Sequence, residues 1–248
     1  MVMDLGLKFY NMVTIYTITY NEEVIIESFI NHYRKNFPNC EININDNYST
    51  DLTVEIAKKY GCNVVLYNTN NELSDETYLQ IKNNVWKTSK TDWVIICDCD
   101  ELIEINESQL ISEEKELTNI IKPIGYSLMN NNEIVDIKNM KYGFRDLGFD
   151  KCILFNKKFI KEINYSVGAH SCHPVGYNNG VKFNNNTYRL LHYKYLSPSY
   201  TVNRHKMFGE RLSEINKKRG WGIHYGFSSE SIIEYYNEQK NKLIKLLN

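Results

Sequence analysis

The chain has 248 residues, and 29 Lys and Arg side chains against 30 Asp and Glu give a formal net charge of -1. This balance offers no basic surface for a long nucleic acid or an anionic membrane. A hydrophobic content of 42%, with 19 Tyr and 10 Phe, indicates a folded chain whose length suits one catalytic domain. We therefore expect a single domain over residues 1–248 that binds any phosphate through local side chains.

The first part of the chain alternates β-rich runs with amphipathic segments, which is typical of a parallel sheet built from βαβ units. Predicted strands cover residues 13–19, 41–45, 63–67 and 93–97. Asn21 is the predicted N-cap of the first helix, and Ser49 or Thr50 that of the second, while a third helix covers residues 74–88. Residues 11–105 are thus predicted to be Rossmann-like.

The pattern after residue 105 is less regular. Short strand-like runs cover residues 124–129, 134–137, 152–155 and 188–195, with Gly- and Asn-rich turns between them. We expect the sheet to continue through residues 106–197, with loops that hold an acceptor. Residues 198–248 predict a helical extension in which helices at 199–218 and 229–247 are joined by a linker containing three glycines.

The sequence shows no pattern typical of a targeting signal. No run of 18 apolar residues occurs, and residues 1–10 lack the basic start, apolar middle and cleavage site of a signal peptide. The six cysteines show no zinc spacing, and several lie in apolar runs, where a reduced cysteine behaves as a small hydrophobic side chain. We predict a cytoplasmic protein without a transmembrane segment.

The acidic motif Asp98-Cys99-Asp100 directly follows the apolar run 93–97. Two carboxylates this close raise each other's pKa unless a cation neutralises them. Ligands of open parallel sheets bind at the carboxyl ends of strands, so we predict a divalent cation and a nucleotide diphosphate here. A solvated turn is the alternative. A second acidic turn at residues 46–51, after an earlier strand, favours the binding site.

These motifs resemble those of family-2 glycosyltransferases, in particular a short branch of that family. The segments that carry the resemblance are Tyr20-Asn21-Glu22-Glu23, the turn at 46–51, and Asp98 to Glu101. The resemblance covers residues 13–105 and implies a GT-A fold, an α/β architecture with a mostly parallel central sheet flanked by helices. It also implies that the donor is a nucleoside-diphosphate sugar, usually with uracil as the base.

The same resemblance implies roles for individual side chains. Thr19 and Tyr20 would line the nucleoside pocket, and Asp98 would meet the ribose. The full set of implied nucleotide-sugar-binding residues is Thr19, Tyr20, Glu22, Asp46, Asn47, Asp51, Asp98 and Lys194. Within it, Asp46 and Asp51 would orient the base or its loop, and Asn47 stands where many relatives carry a second acid.

A histidine and a lysine lie near the end of the last predicted strand, where relatives in this branch carry a similar His-Tyr pair. His192 is predicted to join Asp98 and Asp100 as a metal ligand, and Lys194 to meet a phosphate. An imidazole added to oxygen ligands favours Mn²⁺, with Mg²⁺ as the alternative. A histidine in a polar network is the other interpretation of His192.

Two further segments carry candidate chemistry. His170-Ser171-Cys172-His173 lacks zinc spacing, since neighbouring ligands on an extended chain point to different faces. We interpret residues 168–176 as an acceptor or active-site loop, with His170 as a second choice for the metal. The linker 217–226 carries cationic and aromatic side chains that would suit a flap over a diphosphate; a plain helix connection is the alternative.

Inverting transfer needs a base that takes the proton of the acceptor hydroxyl, and Asp or Glu usually serves. Candidates are Glu133, Asp136, Asp146 and Asp150. We prefer Asp150 because it directly precedes an apolar strand, although a solvated or salt-bridged carboxylate is the alternative for each.

The predicted function is metal-dependent transfer of a sugar from a nucleoside-diphosphate sugar, with UDP favoured, to a hydroxyl acceptor such as a glycan. Inversion is implied by the resemblance alone. A nucleotidyltransferase is disfavoured because residues 17–22 contain neither the glycine nor the lysine of a triphosphate loop. A non-catalytic nucleotide- or carbohydrate-binding module is the alternative from another class.

Overall fold

The computed structural model describes residues 12–177 and 180–247. Residues 1–11, which include the stretch examined for a signal peptide, lie outside the described residues, as do 178–179 and 248. None of the helices in the described ranges combines the length and apolar character that crossing a lipid bilayer requires.

Thirteen strands and seven α-helices are described, with short 3-10 segments between them. In chain order they are β1 (Val13–Thr19), α1 (Ile26–Asn36), β2 (Glu41–Asp46), α2 (Thr53–Lys59), β3 (Asn63–Leu66), α3 (Asp75–Asn84), β4 (Trp93–Asp98), β5 (Glu101–Glu104), α4 (Glu107–Lys115), β6 (Ile120–Ile121), β7 (Ile124–Met129), β8 (Tyr142–Arg145), β9 (Leu154–Asn156), β10 (Ile160–Glu162), β11 (Val175–Gly176), β12 (Arg189–Tyr195), α5 (Pro198–Glu210), α6 (Glu214–Arg219), α7 (Ser229–Lys240) and β13 (Ile244–Lys245).

The central sheet has the order β3-β2-β1-β4-β9-β6, and its first four strands are parallel, as predicted. Every residue of β1 is buried, because a central strand of a parallel sheet is covered on both faces. The register places Thr19 beside Asp46 and Ile18 beside Asp98. The carboxyl ends of three neighbouring strands therefore meet at one edge.

The expected continuation of the first sheet is only partial: β6 and β9 join it, while other strands form a second sheet. Its order is β13-β8-β7-β12-β5, and it is antiparallel except for the β7–β12 pair. Since β4 ends at Asp98 and β5 begins at Glu101, the turn between these residues connects the two sheets. His192 on β12 pairs with Glu101 on β5, which brings a distant histidine to the acidic motif.

The predicted helix caps at the first two helices are wrong. Helix α1 begins after Ile25 and α2 after Leu52, and neither residue makes a side-chain cap. The polar side chains expected as caps join two loops instead: Asn21 accepts a hydrogen bond from the backbone N–H of Thr50 at 2.8 Å, and the hydroxyl of Ser49 accepts one from the N–H of Asn21. These polar side chains therefore form hydrogen bonds between two loops and do not cap the helices.

The second half of the chain also departs from prediction. Residues 134–137 form no strand, and a 3-10 turn at Ile137–Asn139 begins at the last of them. The helix predicted at 199–218 is divided into α5 and α6, because the backbone of Arg211 and Ser213 pairs with Leu73. The helix predicted at 229–247 ends at Lys240, and β13 then pairs with β8.

Candidate active site

A cavity of about 850 Å³ opens at the carboxyl ends of β1 and β4. Its walls come from both sheets, from α3 and α5, from the linker between α6 and α7, and from α7 itself. The sequence-predicted site residues that line it are Thr19, Tyr20, Glu22, Asp98, Asp100, His192 and Lys194. Those that do not line it are Asp46, Asn47, Asp51 and Asp150.

Two buried lysines neutralise Asp98, where we expected a divalent cation to do so. Lys82 on α3 donates to one carboxylate oxygen at 2.6 Å, and the Nζ of Lys151 lies 3.7 Å from the other. Lys151 also bonds Glu101. Burial favours the neutral acid, but the two ammonium groups outweigh it and hold the pKa of Asp98 below its ordinary value. Asp98 is therefore an ionised acceptor facing the cavity.

Asp100 lies beside an imidazole and a guanidinium. Its Oδ2 is 3.4 Å from Nε2 of His192 and 3.9 Å from Nη2 of Arg204, and the same guanidinium donates to Glu22 at 2.6 Å. Although burial opposes ionisation, His192 and Arg204 hold the pKa of Asp100 well below its usual range. Burial raises the pKa of Glu22 to about 7 despite Arg204.

The side chains at this site determine how a metal ion would be held. No three His, Cys, Asp or Glu side chains of residues 12–177 and 180–247 converge on one point. Asp100 and His192 face each other, whereas both oxygens of Asp98 are turned to the ammonium groups of Lys82 and Lys151. The pair fits a divalent cation whose other ligands are phosphate oxygens and water, as is common for cations bound together with nucleotides.

The acidic turn after β2 organises the loops beside the cavity. Asp46 is fully buried and accepts hydrogen bonds from the hydroxyl of Thr19 and the backbone N–H of Ser49, both at 2.8 Å. Asp51 accepts from the backbone N–H of Thr53, and the Asn47 amide donates to a neighbouring loop. These side chains hold Thr19 in place and do not themselves face the cavity.

Tyr20 forms one wall of the same edge. The guanidinium carbon of Arg211 lies 3.1 Å from the centroid of the Tyr20 ring, and the phenol donates to Asn71 at 3.0 Å. A ring held by a guanidinium and a hydrogen bond is a rigid apolar surface of the kind on which a nucleobase stacks.

The C-terminal helices close the other side of the cavity. The linker contributes Gly220, Trp221, Gly222, His224 and Tyr225 to its lining. His205 on α5 also lines it, and its buried ring meets those of His224 and Tyr225. Burial, and then the ammonium of Lys194, lower the pKa of both His205 and His224 to about 4.

None of the four predicted bases is among the residues that line the cavity. Asp150 accepts a hydrogen bond from the backbone N–H of Gly125 at 2.8 Å with one oxygen and pairs with Arg145 at 2.6 Å with the other. Asp146 accepts from the Ser127 hydroxyl. Glu133 and Asp136 belong to an exposed loop. From the predicted acceptor loop, Gly168 and His170 do line the cavity.

Three cationic residues at the centre of the site were missed from the sequence: Lys82, Lys151 and Arg204. A weak signal exists for two of them. Lys82 falls three residues after the cavity-lining Leu79 on α3, and Arg204 lies between Thr201 and Phe208 at helical spacing. Their carboxylate partners are distant in sequence, so no local pattern identifies them.

Residues 14–116 match the model of glycosyl transferase family 2. This segment, which is less than half of the chain, is similar to family-2 glycosyltransferases. The helix-flanked, mostly parallel sheet agrees with the α/β architecture predicted from the sequence. The match ends before the second sheet is complete, so most of the second sheet and the C-terminal helices lie outside it.

Solved structures with similar architecture include TarS 1–349 of S. aureus in complex with UDP-GlcNAc, at 13% identity and a TM-score of 0.45, covering 93% of this chain and 72% of that one. The Mn²⁺ and GDP-Man complex of mannosyltransferase PcManGT from Pyrobaculum calidifontis has 20% identity and a TM-score of 0.33, with 49% and 36% covered. No curated protein matches the chain. The bound molecules belong to the compared proteins.

Proposed function

We propose that the protein transfers a sugar from a UDP-sugar to a hydroxyl acceptor, such as a glycan, with a divalent metal and with inversion at the anomeric carbon. The observation that carries the proposal is the convergence of ionised Asp98 and Asp100 with His192 in one cavity, at the carboxyl ends of parallel strands. The similarity of residues 14–116 to family-2 glycosyltransferases supports the reaction class, and these residues support the donor site.

The nucleoside would bind at the β1 edge. Thr19 and Tyr20 line the cavity there, and Asp46, Asn47 and Asp51 maintain the loops behind them. Asp98 suits the ribose, because a carboxylate kept ionised by two lysines is a strong acceptor for paired hydroxyl groups.

The metal, Mn²⁺ or Mg²⁺, would be held by Asp100 and His192, and when bound it would neutralise charge on the diphosphate leaving group. The prediction that Asp98 is a third ligand gains no support from its lysine partners. Lys194 lines the same wall and would meet a phosphate, while Arg204 keeps Asp100 ionised and in place.

Transfer forms one bond and breaks one. The acceptor oxygen attacks the anomeric carbon, the bond from that carbon to the diphosphate oxygen breaks, and the leaving group keeps the electron pair. The acceptor proton must pass to a group that lines the cavity, a condition that Asp150 does not meet.

The remaining assignments follow from this arrangement. Residues 11–105 would form the donor half, 106–197 the acceptor side, and 198–248 a helical extension whose linker covers the diphosphate. All six cysteines are free, which supports a reducing compartment such as the cytoplasm.

Calorimetric titration with UDP tests the donor site, with and without Mn²⁺, on the wild type, Asp100→Asn and His192→Gln. We expect metal-dependent binding in the wild type and loss of at least tenfold in affinity in both variants. Asp92→Asn is the matched control, since Asp92 forms an exposed pair with Lys158. Binding without UDP release from any UDP-sugar would instead indicate a non-catalytic module, and absence of nucleotide binding would remove the donor-site assignment.

A further inference from the structure

His170 occupies the cavity wall beside the proposed metal ligands. It lies in the loop 166–173 and lines the same cavity as Asp100 and His192. Its ring lies nearly perpendicular to that of Phe149, with centroids 5.5 Å apart, and Phe149 also stacks on His192 with centroids 3.7 Å apart. One aromatic ring therefore contacts both His170 and the imidazole next to Asp100.

The hydrogen bond at Nδ1 determines the tautomer of His170. Nδ1 lies 2.7 Å from the carbonyl oxygen of Gly148, and a carbonyl oxygen can only accept. In the neutral ring Nδ1 therefore carries the hydrogen, and Nε2 carries a lone pair. Gly168 leaves room at that nitrogen, because a Cβ at this position would lie 2.7 Å from Nε2.

The groups that face His170 keep it in the form that accepts a proton. Desolvation of the ring in the cavity wall, and then the Lys151 ammonium, lower the pKa of the imidazole, and His192 acts in the same direction. The Gly148 carbonyl and the carboxylate of Asp98 oppose them without reversing the shift. His170 is thus neutral at pH 7, as a general base must be.

The carboxylates that line the cavity are less suited than His170 to accept the acceptor's proton, because they are already paired or lie on an exposed helix. Those nearest the acidic motif are paired with cations or amides: Asp75 with Asn216, Asp98 with Lys82, Glu101 with Lys151, and Asp100 with His192 and Arg204. Glu22 pairs with Arg204 through Oε1, and its Oε2 is buried. The other two, Glu234 and Glu238, are exposed on α7. His170 also lines the cavity, and its Nε2 has a lone pair that no hydrogen bond among the described residues occupies.

We propose that His170 is the catalytic base of the transfer, which rests on the proposed function. As the acceptor oxygen bonds to the anomeric carbon, its proton passes to Nε2, and the leaving nucleoside diphosphate takes the electron pair of the broken bond. The imidazolium keeps its Nδ1–H bond to Gly148 and returns the proton to water after the products leave.

The test uses UDP release from UDP-glucose, UDP-galactose and UDP-N-acetylglucosamine, with Mn²⁺ and with water as the acceptor. We expect His170→Gln to lower kcat about 100-fold, the scale of general base catalysis, while UDP affinity stays within twofold. The acid limb of the wild-type pH profile should disappear in this variant. Added imidazole should restore His170→Ala at least tenfold, which a structural role would not allow.

Two comparison variants sharpen the result. His173→Gln changes an exposed histidine of the same loop that does not line the cavity, and should match the wild type. Asp150→Asn tests the carboxylate predicted from the sequence, and should lose less than tenfold.

The inference is overturned if His170→Gln keeps kcat within threefold, if its loss resists imidazole and UDP affinity falls equally, or if Asp150→Asn alone loses 100-fold. A wild type that binds UDP but releases none from any donor would overturn both proposals together. A wild type that releases UDP while His170→Gln does so equally well overturns only the base.

Discussion

Phe149 lies flat against His192, with ring centroids 3.7 Å apart and the planes inclined by 21°. The stack fixes the plane of the imidazole whose Nε2 faces Asp100. Because Phe149 also meets His170, one ring connects the proposed metal ligand with the proposed base.

Phe149→Leu keeps an apolar side chain but removes the flat surface under His192. We expect the affinity for Mn²⁺ in the presence of UDP to fall about tenfold or more, the scale seen when groups that orient metal ligands are lost. Titration of Mn²⁺ at saturating UDP measures it. Phe183→Leu, at a partly exposed ring outside the cavity lining, is the control; equal affinities in all three proteins would contradict the orienting role.

Lys82→Met removes the closest counter-ion of Asp98 while Lys151 stays. The free energy of unfolding in urea should fall by about 2 kcal/mol, less than for a fully buried pair because Asp98 faces the cavity. Adding Asp98→Asn should recover part of the loss, since the unpaired charge is then gone. Lys87→Met, which breaks an exposed pair with Glu162, should cost under 1 kcal/mol. An equal loss of unfolding free energy in Lys82→Met and Lys87→Met would contradict the stabilising role of the Lys82–Asp98 pair.

Glu22 makes the stability depend on pH. Its pKa is raised to about 7 in the folded protein from an ordinary 4.5, so the folded state binds more protons than the unfolded state between these values. The stabilisation is complete below pH 4.5 and is lost as pH rises through 7. Compared with Glu22→Gln, the wild type should lose up to about 3 kcal/mol across that window. Urea unfolding at four pH values gives the difference, and a constant difference would show that Glu22 ionises normally.

Gly209 on α5 permits close approach of the linker that lines the cavity. A Cβ there would lie 2.6 Å from the carbonyl oxygen of Tyr225. Alanine is the better helix former by about 1 kcal/mol, yet we expect Gly209→Ala to destabilise by about 1–3 kcal/mol and to weaken UDP binding, because the linker must move. Gly226→Ala, with no atom within 4 Å of its Cβ, is the control. A more stable Gly209→Ala protein with unchanged UDP affinity would show that the linker yields freely.

The first four strands were predictable from the sequence to within about a residue. Strand β4 is the continuous apolar run typical of a strand covered on both faces, and β1, β2 and β3 contain the β-branched residues that favour strands. The position of the acidic motif followed from the same pattern. The caps Asn21, Ser49 and Thr50 were predicted wrongly, since a polar side chain near a helix start serves equally well to tie two loops. Local sequence does not distinguish these uses.

What the sequence determined by itself concerns residues 11–105: the succession of strands along the chain, the carboxylates at the ends of two of them and the resemblance to a glycosyltransferase family. The tertiary structure alone decided which groups surround those carboxylates. Arg204 reaches Glu22 across 182 positions and Lys151 reaches Glu101 across 50. The periodicity of a sequence indicates whether a residue is buried. The partner of a buried charge depends on which distant segment packs against it. That packing is decided only when both sheets and the C-terminal helices come together.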